Sequence, residues 1–237
     1  MHDVSAPNHW RNPGTKRARG VVFAFVSGSP GVGKTTLARG LSTLFARRDV
    51  PTDLKHLTAG ARWRSVVAPS LHRFVNPPPR TNGPSSDCVV LDGPSGLHPA
   101  LLEIARAADF LILVTTPQHA ALADTYAVVK YLVQRGIETR LGLVVNQAPS
   151  ELQATRTHAR LSQATLRFLG RTVAYLGHVP PDEQLRLIAH RELPPAQPAP
   201  QSAASACLEA ICEHLAPTCP PRRPPAWLWS RIASIFL

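Results

Sequence analysis

The octapeptide Gly28-Ser29-Pro30-Gly31-Val32-Gly33-Lys34-Thr35 narrows the fold most, because of what stands on either side of it. Before it, Val21-Val22-Phe23-Ala24-Phe25-Val26 is an unbroken apolar run rich in β-branched and aromatic residues, which reads as a buried parallel strand. After it the pattern turns helical from Lys34 to Arg47, with Leu37, Leu41, Leu44 and Phe45 on one face. A strand, a turn of the form G-x-x-x-x-G-K-T and a helix together make a phosphate cradle. Glycines let successive backbone N–H groups close around phosphate oxygens, and the helix adds the positive end of its dipole. Lys34 is placed to neutralise β- and γ-phosphates, and the Thr35 hydroxyl to ligate Mg2+. A chance glycine-rich turn would require neither flank, and both are present.

Strand-like and helix-like segments then alternate. Cys88-Val89-Val90-Leu91-Asp92, Phe110–Thr115, 141–146 and 172–179 read as strands, and 99–108, 120–135, 152–169, 182–190 and 202–215 as helices. The segment 49–87 is Pro- and Arg-rich, with a weak strand marked by Leu54 and Leu57. This alternation predicts a single α/β domain with a mostly parallel central sheet flanked by helices on both faces. Asp92 ends its strand and precedes Gly93-Pro94-Ser95-Gly96. An acid there, beside a phosphate loop, is placed to hold Mg2+, while the glycines after it can offer N–H groups to a γ-phosphate. Alone, an Asp before Gly-Pro is an ordinary turn former.

Composition bounds the rest. The 237 residues suit one domain with extensions, and the 24 prolines cluster at 77–79, 194–200 and 217–225, as loops and linkers do. The formal charge of +11 rests on arginine, since only Lys16, Lys34, Lys55 and Lys130 are lysines. Such a balance favours acidic partners, although GC-rich coding also writes arginine for lysine. Cys88, Cys207, Cys212 and Cys219 form no C-x-x-C pair, which points to free thiols in a reducing cytosol. No eighteen-residue apolar stretch exists, and residues 1–20 are polar and basic without a signal-peptide core, so a flexible arm is expected there.

The blocks GVGKTT, VVLDGPSG, LILVTTPQHAALADTYAVVKYL, LVVNQ and YLGHVPPD, in this order, resemble the MinD/ParA-type ATPases. Within them they look most like the flagellar-number regulators FlhG and FleN, and the resemblance covers residues 21–215, poorly over 49–87. It implies a sheet of about seven strands, and ATP with Mg2+ as cofactors. It also implies a homodimer and a cytoplasmic protein held peripherally at the inner face of the cell membrane. By position, Gly28, Gly31, Val32, Gly33, Lys34, Thr35 and Thr36 would wrap the phosphates, with Thr35 and Asp92 on the metal. Lys34 and Asp92 would be the catalytic residues, and Asp92 and Gly96 the second switch. Asn146 would read the adenine edge or merely cap its strand. Pro180 and Asp182 would line base and ribose, or form a turn and helix cap. Asp124 would lie on a helix near the dimer face.

Departures from the family pattern are as informative. Ser29 stands where these loops carry a lysine that reaches the partner's nucleotide, and Pro30 replaces a glycine. The Asp-rich first switch has no counterpart over 49–60, where Asp49 and Asp53 are the acids present. Slow or absent hydrolysis with retained binding is the expectation. Beyond a Pro/Arg-rich linker at 217–226, residues 227–237 place Leu228, Ile232, Ile235 and Phe236 on one helical face with Trp227 and Trp229 beside it. A short aromatic amphipathic helix behind an arginine pair suits an anionic membrane surface, and equally a dock on this or another protein. The implied role is spatial regulation of a flagellar or division assembly through a partner protein. A ParA-like DNA-partitioning ATPase, a non-hydrolysing scaffold and a small-molecule phosphotransferase are the competing classes.

Overall fold

The structure, a computed structural model, describes residues 21–48, 50–57, 88–183 and 202–219. The expected arm at 1–20, the amphipathic segment 227–237, residues 220–226 of the linker, and all but the first two residues of the expected helix 182–190 lie outside the described residues.

Six strands form one sheet: β1 (Val21–Ser27), β2 (Thr52–His56), β3 (Cys88–Ser95), β4 (Phe110–Thr115), β5 (Arg140–Asn146) and β6 (Ala174–Val179). Their order is β2-β3-β1-β4-β5-β6, and every neighbouring pair is parallel. The described residues therefore carry six strands where the resemblance implied one more. Among the described residues five α-helices accompany them: α1 (Lys34–Arg47), α2 (Leu101–Ala107), α3 (His119–Gln134), α4 (Glu151–Leu169) and α5 (Ala203–Leu215).

Strand β1 is apolar throughout because it has to satisfy two cores. Val22, Ala24 and Val26 point to one face, where Leu101 and Ile104 of α2, Val128 and Leu132 of α3 and Leu161 of α4 cover them. Val21, Phe23 and Phe25 point to the other, against Leu37, Leu41 and Phe45 of α1 and Leu208 and Ile211 of α5. Burial on both faces is what removes polar alternation from a central parallel strand. On the second face α1 and α5 approach closely at Gly40, where an added Cβ would lie 2.4 Å from Leu208 Cδ2. Helix α4 starts on Ser150, whose hydroxyl accepts the Gln153 N–H at 3.3 Å, and stops at Gly170 in the left-handed region.

Because the chain leaving β1 leads through α1 to β2 on one side and the chain leaving β3 leads through α2 to β4 on the other, the two connections diverge and open a crevice at the carboxyl ends of these strands. Ligands of open parallel sheets bind in such a crevice. No helix among the described residues is long and apolar enough to cross a membrane.

Candidate nucleotide-binding site

The crevice is a cleft of about 830 Å3. The loop residues Pro30 to Thr36 line one side, with Ser27 and Ser95 behind them and Asn146, Gln147 and Pro180 to Glu183 opposite. Gly31 and Gly33 have φ of 74° and 84°, which lets the loop turn its main chain inward. Gly33 is also the N-cap of α1 and supplies no side-chain cap, so that helix end keeps its capacity for an anion.

Two ties fix the loop from outside. The Ser27 hydroxyl donates to Ser29 O at 2.9 Å and lies 3.0 Å from the Ser95 hydroxyl. The Ser29 hydroxyl donates to Asp124 on α3 at 2.5 Å. Gly28 is tied to the same place: a Cβ there would stand 2.2 Å from the Asp124 carbonyl carbon and 2.4 Å from Thr125 N. Gly28 thus permits the loop to touch α3 and does not line the cleft. Asp124, expected near a dimer face, is within one protomer the anchor of the loop.

Asp92 is the focus of the site. It is 5% exposed and accepts from three side chains: Lys34 Nζ on Oδ1 at 2.6 Å, Thr35 Oγ1 on Oδ2 at 2.7 Å, and His56 Nδ1 on Oδ2 at 2.9 Å. A carboxylate this buried needs a cation, and removing one partner of such a pair costs about 3–5 kcal/mol. The donor set fits Mg2+: a hydroxyl and a carboxylate oxygen, hard ligands 2.7 Å apart, beside a loop shaped for phosphate. Thr35 and Asp92 are the residues that would hold the ion.

At the far end, Asn146 is buried and its amide nitrogen donates to Val32 O at 2.8 Å. Its donor is thus committed to the phosphate loop, closing the space over Gly33, where a Cβ would meet that nitrogen at 2.2 Å. Gln147 follows with φ of 57°, positive for a non-glycine residue, and it lines the cleft while exposed. Pro180 and Asp182 line the cleft as expected, joined by Pro181 and Glu183. Gly96 is in the left-handed region, and its N–H donates to Ser27 O at 2.8 Å, so in this conformation the group foreseen for a γ-phosphate is already engaged.

Sequence reasoning missed His56, Gln147 and the serines at 27 and 95. Of these, Ser95 and Gln147 carried a signal, standing inside the DGPSG turn and the LVVNQ block. Of the two acids weighed for a first switch, Asp53 pairs with Lys55 at 3.0 Å and does not line the cleft, and Asp49 lies outside the described residues.

No family model matches the chain. Among solved structures, MinD of Aquifex aeolicus superposes with a TM-score of 0.60 at 17% identity, covering 86% of this chain and all of that one. The chain has the fold of the MinD/ParA-type P-loop proteins. The MinD protein of Pyrococcus horikoshii in complex with Mg-ADP gives a TM-score of 0.60 at 16% identity, over 83% of this chain and 96% of that one. A ParA-family ATPase of Chlorobium tepidum gives 0.58 at 17%, over 84% and 100%. At these identities the likeness establishes the MinD/ParA fold. In sequence the chain is 28% identical over 129 residues to the antiactivator FleN of Pseudomonas aeruginosa, a match spanning 54% of this chain and 46% of FleN. The chain therefore spans less than half of the length of that relative.

Proposed function

We propose that this chain is an ATP-binding switch of the MinD/FlhG kind, with weak or no hydrolysis, acting in the placement or number of a flagellar or division-type assembly. The observation that carries it is the convergence of Lys34 and Thr35, which line the cleft, on one buried carboxylate. That arrangement holds the loop cation and the metal ligands in store for a ligand bearing both phosphate and Mg2+. On binding, Lys34 would leave Asp92 for the β- and γ-phosphates, and Gly31, Val32, Gly33 and Thr36 would contribute main-chain and hydroxyl donors. Mg2+ held by Thr35 and Asp92 would supply neutralising charge between those phosphates. Pro180 and Asp182, with Asn146 and Gln147, would flank base and ribose.

A γ-phosphate is distinguishable from its absence here because Gly96 reaches it only by giving up Ser27 O. That exchange is the element by which ATP and ADP states would differ, and a dimer and a membrane-attached form would follow the ATP state. Weak hydrolysis rests on what surrounds the loop: Ser29 is bonded to Asp124 in its own protomer, and the carboxyl end of β2 offers His56 where the family carries acids.

The test is co-sedimentation with anionic liposomes of the whole chain and of a chain ending at Pro225, each with ATP, ADP and no nucleotide. ATP-enhanced pelleting of the whole chain alone is expected. Equal pelleting in all nucleotide states, or of both chains, contradicts the switch, and salt-sensitive retention on DNA in its place would favour the partitioning class.

A further inference from the structure

His56 ends β2, directly across the ladder from Asp92 on β3. The Leu57 N–H also donates to Asp92 O at 2.8 Å, so the backbone places the two side chains together on the sheet's carboxyl edge. The imidazole is held from both sides: Nδ1 lies 2.9 Å from Asp92 Oδ2, and Arg39 Nε of α1 donates to Nε2 at 3.4 Å. A guanidinium only donates, so Nε2 accepts and Nδ1 carries the hydrogen given to the carboxylate.

We infer that His56 is a positioning residue that holds the Asp92 carboxylate in place for Mg2+ when Lys34 and Thr35 turn to the bound nucleotide. The inference rests on the proposed function. Of the three side chains on Asp92, Lys34 and Thr35 belong to the phosphate loop and have phosphate and metal to serve. His56 comes from a different strand, does not line the cleft and has no such duty. Without it, a carboxylate 5% exposed would lose its remaining protein donor at the moment it has to be oriented. A hydrogen bond to an ionised acceptor is among the stronger ones, and loss of the group orienting a metal-associated carboxylate typically lowers metal affinity about 10–100-fold.

The experiment measures the Kd for ATP by calorimetry, with excess Mg2+ and with chelator, for the wild-type chain, His56→Leu and His56→Asn. The asparagine amide can present an N–H near the position of Nδ1, whereas leucine fills the space without a donor. In His56→Leu the Kd for Mg·ATP is expected to rise about 10-fold while the metal-free Kd stays within about twofold, and His56→Asn is expected to recover most of the loss. A leucine variant with wild-type Mg2+ dependence overturns the inference. So does an equal loss with and without the metal, or an asparagine variant no better than leucine. A wild-type chain that binds no ATP overturns the proposed function as well, whereas metal-dependent wild-type binding with unaffected variants removes only the role of His56.

Discussion

Alanine at Gly28 is expected to destabilise the protein more than alanine at Gly31, although both belong to the phosphate loop. At Gly28 the new Cβ would face the Asp124 carbonyl carbon at 2.2 Å, Thr125 N at 2.4 Å and Asp124 O at 2.5 Å. These are main-chain atoms of a helix, so no side chain can swing aside, and loop and helix have to separate by more than an ångström. Overpacking of this kind costs about 1–3 kcal/mol, and parting the Ser29–Asp124 hydrogen bond adds about 1 kcal/mol. Gly31 meets nothing within 4 Å, and its penalty is the left-handed backbone alone, about 1–2 kcal/mol. In a chain of this size each kcal/mol moves Tm by about 2–4 °C. The assay is thermal and urea unfolding of nucleotide-free protein, for both variants and for each combined with Asp124→Ala. Asp124→Ala should cost less on the Gly28→Ala background than on the wild type, since the tie it removes is already broken. A Gly28→Ala protein that melts at or above Gly31→Ala refutes the reasoning.

Asn146→Ala removes the donor to buried Val32 O, and a loss of about 1–3 kcal/mol in unfolding free energy with weaker nucleotide binding is expected; unchanged stability by urea titration would show that the amide does not hold the loop. Burial raises the thiol pKa of Cys88 well above its ordinary value and that of Cys212 to about 11. At pH 8 the Cys212 thiolate fraction is then about one in a thousand, so iodoacetamide should modify half-exposed Cys219 first and reach Cys88 and Cys212 only on unfolding. Rapid labelling of Cys88 in folded protein, read by mass spectrometry, contradicts the packing described.

The sheet was legible where burial made it so. Strands β1, β3, β4 and β5 are covered by helices on both faces, and their sequences are near-continuous apolar runs that declare themselves. Strand β2 lies at the sheet edge and reads Thr52-Asp53-Leu54-Lys55-His56, half-buried as far as Lys55 and exposed at His56, so Leu54 was the one apolar marker inside it. At the opposite edge β6 begins at Ala174, two residues later than the apolar pattern places it. The site divides the same way. Lys34, Thr35 and Asp92 belong to local motifs whose spacing carries the chemistry. The partnership of His56 with Asp92 is created by strand pairing across 36 residues. The reach of Asn146 to Val32 spans 114 residues, and no local pattern encodes either. Resemblance placed Asn146 at the adenine and said nothing of its commitment to the loop.

The central claim is that a main-chain loop, one ammonium group and a buried carboxylate bind a magnesium-complexed nucleoside triphosphate. Isothermal titration of Mg·ATP into the wild-type chain and into Lys34→Ala tests it most directly, with unfolding curves confirming that both are folded. The account predicts saturable heat for the wild type and an affinity lower by about 10–150-fold for the variant, the equivalent of one charge-assisted contact of about 1.5–3 kcal/mol. No heat with the wild type, or equal affinity in the two proteins, would contradict it.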